Sequence, residues 1–121
     1  SAVVAPAFLG VAHIEVEFHG KESHAAFAPQ LGINALDAAV QAYVNVSTLR
    51  QTLYPTDKIH GVITYGGGAP NVIPAFTAMA WYVRAGTKER LDDLYAKVVA
   101  CFEAASTATG CRMELKQLGH T

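Results

Sequence analysis

Three polar side chains stand where chemistry could use them: His24, Asn71 and Arg84. His24 lies in Gly20-Lys21-Glu22-Ser23-His24-Ala25-Ala26, a glycine-flanked stretch without hydrophobic period, where a loop can hold an imidazole out toward a ligand. An ordinary loop histidine fits the same position. Asn71 lies in Gly66-Gly67-Gly68-Ala69-Pro70-Asn71-Val72-Ile73-Pro74. Gly67 and Gly68 let the backbone come close to a bound molecule, and the two prolines fix the path on either side of an amide donor. A phosphate loop would need the Walker lysine and a following helix, which this segment lacks. A hairpin connection is the plainer use of it. Arg84 ends the apolar run Ala80-Trp81-Tyr82-Val83-Arg84-Ala85. A guanidinium there is partly desolvated and wants a carboxylate, from the protein or from a substrate.

The other histidines, His13, His19, His60 and His120, lack the spacing of a zinc helix, so no metal ligands are expected in this chain. Cys101 and Cys111 form neither a zinc knuckle nor a disulfide framework; packing thiols in a reducing cytoplasm are expected. The 121 residues suit one domain, and 51% hydrophobic against 16% charged residues argues against disorder. A net charge of -1, with no block of like charge, excludes a nucleic-acid footprint and a hold on anionic membranes. No apolar run approaches the roughly 20 residues of a membrane span. Ser1 to Pro6 lack the start of a secretory signal and an initiator Met, so the chain is expected to be an excised piece of something longer.

Those groups need a scaffold. Ala12, Ile14, Val16 and Phe18 alternate with His13, Glu15, Glu17 and His19, which predicts a strand with one covered and one wet face. Lys21 to Gly32 reads as a long loop. Asn34 caps a helix, and the stripe Ala35, Ala39, Ala42, Val46, Leu49 and Leu53 carries it to Tyr54-Pro55. Leu36, Val40, Tyr43 and Val44 widen its apolar surface, for a partner chain or for the chain's own core. A second strand follows from Lys58 to Tyr65. A third, Phe76 to Ala85, is apolar on both faces and belongs mid-sheet. Thr87 and Gly110 bracket a second helix, and a last strand covers roughly Arg112 to Leu118.

This order predicts an α+β, ferredoxin-like βαββαβ sandwich: a four-stranded antiparallel sheet, spatial order 4-1-3-2, with two helices on one face. The second strand is then an open edge with few charges, which invites a homodimer through that edge and the adjacent first helix.

The pattern Gly20-x-x-Ser23-His24-Ala25-Ala26-x-x-Pro29, then Gly67-Gly68-x-Pro70-Asn71-Val72-Ile73-Pro74, then a strand ending in Arg84, resembles the dimerisation or lid domain of the M20 family of zinc-dependent peptidases and amidohydrolases. The likeness runs from about Gly10 to Leu118. Asn34-Ala35-Leu36-Asp37-Ala38-Ala39, Leu49-Arg50-Gln51 and Tyr82-Val83-Arg84-Ala85 look most like the branch with aminobenzoyl-glutamate hydrolase and M20 domain-containing dipeptidases. The resemblance implies that residues 1–121 are one domain inserted in a larger hydrolase domain. That domain would carry two zinc ions, their ligands and a glutamate that activates water, leaving the fragment without cofactor and inactive alone. It also implies that His24 donates to the oxygen of the tetrahedral intermediate, in many members at the partner subunit's site. Asn71 would orient or polarise the same carbonyl and Arg84 bind a substrate carboxylate, with Gly67 and Gly68 against the substrate. The expected function is dimerisation and substrate gating for hydrolysis of N-acyl amino acids or dipeptide-like amides. A free-standing ferredoxin-like ligand-binding or regulatory module is the alternative.

Overall fold

The computed structural model describes residues 10–120, with backbone alone for 118–120; the Ser1 to Pro6 segment and the His120 side chain lie outside the described residues. In chain order the elements are β1 (Gly10–His19), β2 (Ser23–His24), α1 (Ala35–Ser47), β3 (Lys58–Tyr65), β4 (Val72–Ile73), β5 (Phe76–Ala85), α2 (Lys88–Thr109) and β6 (Arg112–His120). The main sheet runs β3-β5-β1-β6, antiparallel throughout, which is the expected ferredoxin-like order.

Side-chain alternation sets the core. Ile14, Val16 and Phe18 of β1 and Met79, Trp81 and Val83 of β5 are buried beneath both helices. The alanines at 35, 38, 39 and 42 are fully buried and let α1 lie close on the sheet. The opposite face carries His13, Glu15, Glu17, His19, Tyr82 and Arg84, which are half-buried or exposed.

The caps fall where the sequence places them. Asn34 Oδ1 accepts the N–H groups of Leu36 and Asp37 at 2.9 and 3.1 Å, Thr87 Oγ1 accepts that of Arg90 at 3.1 Å, and Gly110 ends α2. One boundary differs. The apolar stripe carries α1 to Tyr54, yet the helix ends at Ser47. Ser47 Oγ donates to the Tyr43 carbonyl at 2.9 Å and Thr48 Oγ1 to the Asn45 carbonyl at 2.6 Å, competing for acceptors of the helical ladder. A short 3-10 turn, Arg50–Thr52, follows, and Leu49 and Leu53 still pack on the core.

A buried carboxylate ties the segment before β3 to the β5–α2 turn. Asp57, 4% exposed, accepts the Gly86 N–H at 2.9 Å, the Thr56 hydroxyl at 3.0 Å and Arg90 Nε at 3.2 Å. Burial pushes this carboxyl upward, but those three donors and the guanidinium charge outweigh it and hold it below the ordinary carboxylate value. Arg90 also lies 4.2 Å over the Tyr54 ring.

Candidate functional site

The two segments singled out in the sequence as loops pair with each other. Ser23 and His24 form an antiparallel ladder with Ile73 and Val72, and the Ala25 N–H donates to the Asn71 carbonyl at 3.1 Å. His24 and Asn71 therefore sit on one small two-stranded platform. It leaves the main sheet at the His19–Phe76 rung, where the Gly20 N–H donates to the Ala75 carbonyl at 2.7 Å. Lys21 and Ile33 exchange backbone hydrogen bonds behind it, each at 2.9 Å. Gly67 adopts φ +122°, and a Cβ there would meet the Pro74 ring at 2.8 Å; at Gly68 nothing lies within 4 Å. A cavity of about 430 Å³ opens beside this turn, lined by Gly66 to Pro70, Asn34 and Ala25.

The platform also orients the imidazole. The Ala26 N–H donates to His24 Nδ1 at 3.3 Å, so in the neutral ring the proton belongs on Nε2, which is left as a free, exposed donor. The ring lies 4.8 Å from that of Phe27, a side chain 84% exposed. Phe27 was not singled out from the sequence; a lone large aromatic in a segment with no apolar period is the signal that could have found it.

Arg84 is elsewhere. It stands at the far end of β5 from Phe76, eight residues by numbering, or about 26 Å of extended strand. Among the described residues it has no carboxylate partner, which removes the internal ion pair, and its Nε is buried without a hydrogen bond.

Val40, Tyr43 and Val44 of α1, left open between partner and core, are 48%, 40% and 53% exposed. With Gly61, Val62 and Ile63 of β3 they line one shallow apolar depression along the open sheet edge. The chain's own core does not cover them.

Among the described residues one cluster, Glu17, His19 and Glu114, brings possible metal ligand atoms within 4.8 Å of one another. His19 Nε2 is already 3.2 Å from each carboxylate, and Arg112 and Lys116 lie 3.6 and 3.9 Å from them. Carboxylates so neutralised do not fit a two-zinc centre. Cys111 is buried and Cys101 half-buried, its thiol pushed up by burial, as packing residues would be. No helix of the described residues is long and apolar enough to cross a membrane.

Comparison with known proteins gives the family and the fold. The chain is 46% identical to mouse Xaa-Arg dipeptidase over 107 residues, 88% of this chain and 25% of that protein. It is 30% identical to a p-aminobenzoyl-glutamate hydrolase polypeptide of Escherichia coli over 100 residues, 82% of this chain and 21% of the relative. The chain thus spans about a quarter of the length of these relatives. Among solved structures, an aminobenzoyl-glutamate utilization protein from Klebsiella pneumoniae superposes with TM-score 0.82 at 21% identity, covering 94% of this chain and 29% of that one. The family model described as the peptidase dimerisation domain matches residues 8–109, and the chain belongs to this M20 dimerisation-domain family.

Proposed function

We propose that this chain is the dimerising, substrate-gating lid of a dizinc amidohydrolase or peptidase that cleaves N-acyl amino acids or dipeptide-like amides. The β2–β4 platform that unites His24 with Asn71 carries the reading. Attack on an amide carbon concentrates negative charge on one oxygen. The His24 Nε2–H and the Asn71 amide, held on one ladder, are suited to meet it as preorganised donors. Arg84 holds the substrate carboxylate. The zinc ions, whose chemistry would be activation of the attacking water, belong to a catalytic domain outside residues 1–121, and these residues alone are inactive. The Xaa-Arg dipeptidase relative supports dipeptides as substrates.

The distance between Arg84 and His24 fits a composite site. β3 runs antiparallel to β5, so Lys58 lies beside Arg84 and Tyr65 beside Ala78. Antiparallel β3–β3 pairing about a two-fold axis sets the Lys58 end of one protomer against the Tyr65 end of its partner. Arg84 of one protomer then reaches the same end of the joined sheet as His24 and Asn71 of the other.

The test is a mixed dimer of the parent enzyme. His24→Ala homodimers lose roughly 10²–10³ in turnover with zinc content unchanged. A hybrid of one His24→Ala and one Arg84→Ala protomer recovers one intact site, about half of wild-type activity per dimer. Near-normal His24→Ala turnover removes the oxyanion role, and a hybrid as inactive as its parents removes the composite site.

A further inference from the structure

Lys58 and Arg84 stand directly opposite each other in the β3–β5 ladder, on the face of the sheet that no helix covers. Two cations facing across a ladder repel. Neither has a carboxylate within ion-pair distance among the described residues, and Arg84 Nε is buried with no acceptor. A buried guanidinium N–H left unbonded is costly, more so beside a second positive charge. The next rung holds Tyr82 between His60 and His13, whose rings lie 6.4 and 5.0 Å from its own. Glu15 is the first acidic residue along this face of β1, opposite Ala80 and two rungs from Arg84. Among the described residues the corner therefore joins two cations with no carboxylate paired to either.

We propose that Lys58 and Arg84 together bind the free carboxylate of the substrate, with Lys58 as a specificity-determining residue. This rests on the reading of Arg84 as the carboxylate-binding group and adds a second point to it. A planar guanidinium takes a carboxylate edge-on, and the flexible ammonium satisfies lone pairs the fork leaves free. A two-point hold favours substrates that carry an ionised carboxylate close to the scissile amide and disfavours esters and amides of that carboxylate.

The test compares a dipeptide with its C-terminal methyl ester on the full-length parent enzyme. Lys58→Gln raises KM for the free acid about tenfold, leaves kcat within about twofold, and leaves the ester unchanged. Lys58→Arg restores the wild-type preference. Equal shifts for acid and ester, or an unchanged KM for the acid, overturn the proposal. If Arg84→Gln abolishes the preference for the acid while Lys58→Gln does not, the Lys58 assignment falls alone; if Arg84→Gln also leaves it intact, the role of Arg84 falls with it.

Discussion

Gly61 faces Trp81 across the β3–β5 ladder so closely that a Cβ at residue 61 would sit 2.2 Å from the indole ring. The indole lies over the glycine and packs near Phe102 of the core, centroids 5.8 Å apart, and near Tyr43 of the exposed α1 surface, at 5.6 Å. The glycine thus shapes the patch assigned to dimerisation as well as the core. Gly61→Ala is expected to lower stability by about 1–3 kcal/mol, because a ring in a packed layer cannot shift without displacing its neighbours. Urea denaturation measures this, and an unchanged midpoint would show that the indole moves freely.

The apolar depression between α1 and β3 predicts the oligomeric state. The chain is expected to be a dimer at micromolar concentration, and Val44→Asp combined with Val62→Lys to make it a monomer. Each change places a charge on a surface that association would desolvate, at little cost to a fold in which both side chains are about half exposed. Sedimentation velocity reads the outcome. A monomeric wild type, or a variant that stays dimeric, contradicts the assignment of this face.

Neighbouring glycines of the Asn71 turn are expected to behave differently. Gly67→Ala forces an L side chain into positive φ and against Pro74, costing about 1 kcal/mol or more and displacing Asn71, so turnover of the parent falls as well. Gly68→Ala meets open space and leaves the melting temperature unchanged. A loss in turnover at Gly68 without a loss in stability would mark contact with the substrate.

Asp57 predicts an acid dependence. Its carboxyl titrates below the ordinary 3.8 in the folded chain. The stability it contributes is complete above the unfolded value and is lost as pH falls through the lower folded value. Asp57→Ala leaves the Arg90 charge and the Gly86 N–H without their partner and costs roughly 3–5 kcal/mol near neutrality. The gap between wild type and variant is constant above about pH 5 and narrows as pH falls below it, by the part that the lowered carboxyl supplies, as thermal melts across that range would show. A gap that widened on acidification would contradict the sign.

The sequence by itself determined the two helices, the four long strands, their order and the topology of the main sheet. The period-2 run from Ala12 to His19, the caps Asn34, Thr87 and Gly110, and the doubly apolar β5 each leave a local signature of backbone hydrogen bonding and burial. It also marked His24, Asn71 and Arg84 as groups fit for chemistry. Periodicity marks an apolar face but not what covers it, so only the tertiary structure showed that the chain's own core leaves Val40, Tyr43 and Val44 of α1 exposed. A two-residue ladder has no period, and the β2–β4 platform joining His24 to Asn71 emerged only from long-range pairing. The separation of Arg84 from His24 along β5 also depends on tertiary structure, whereas α1 stops early through local competition by Ser47 and Thr48, which its apolar stripe does not record. Register is settled between segments rather than within them.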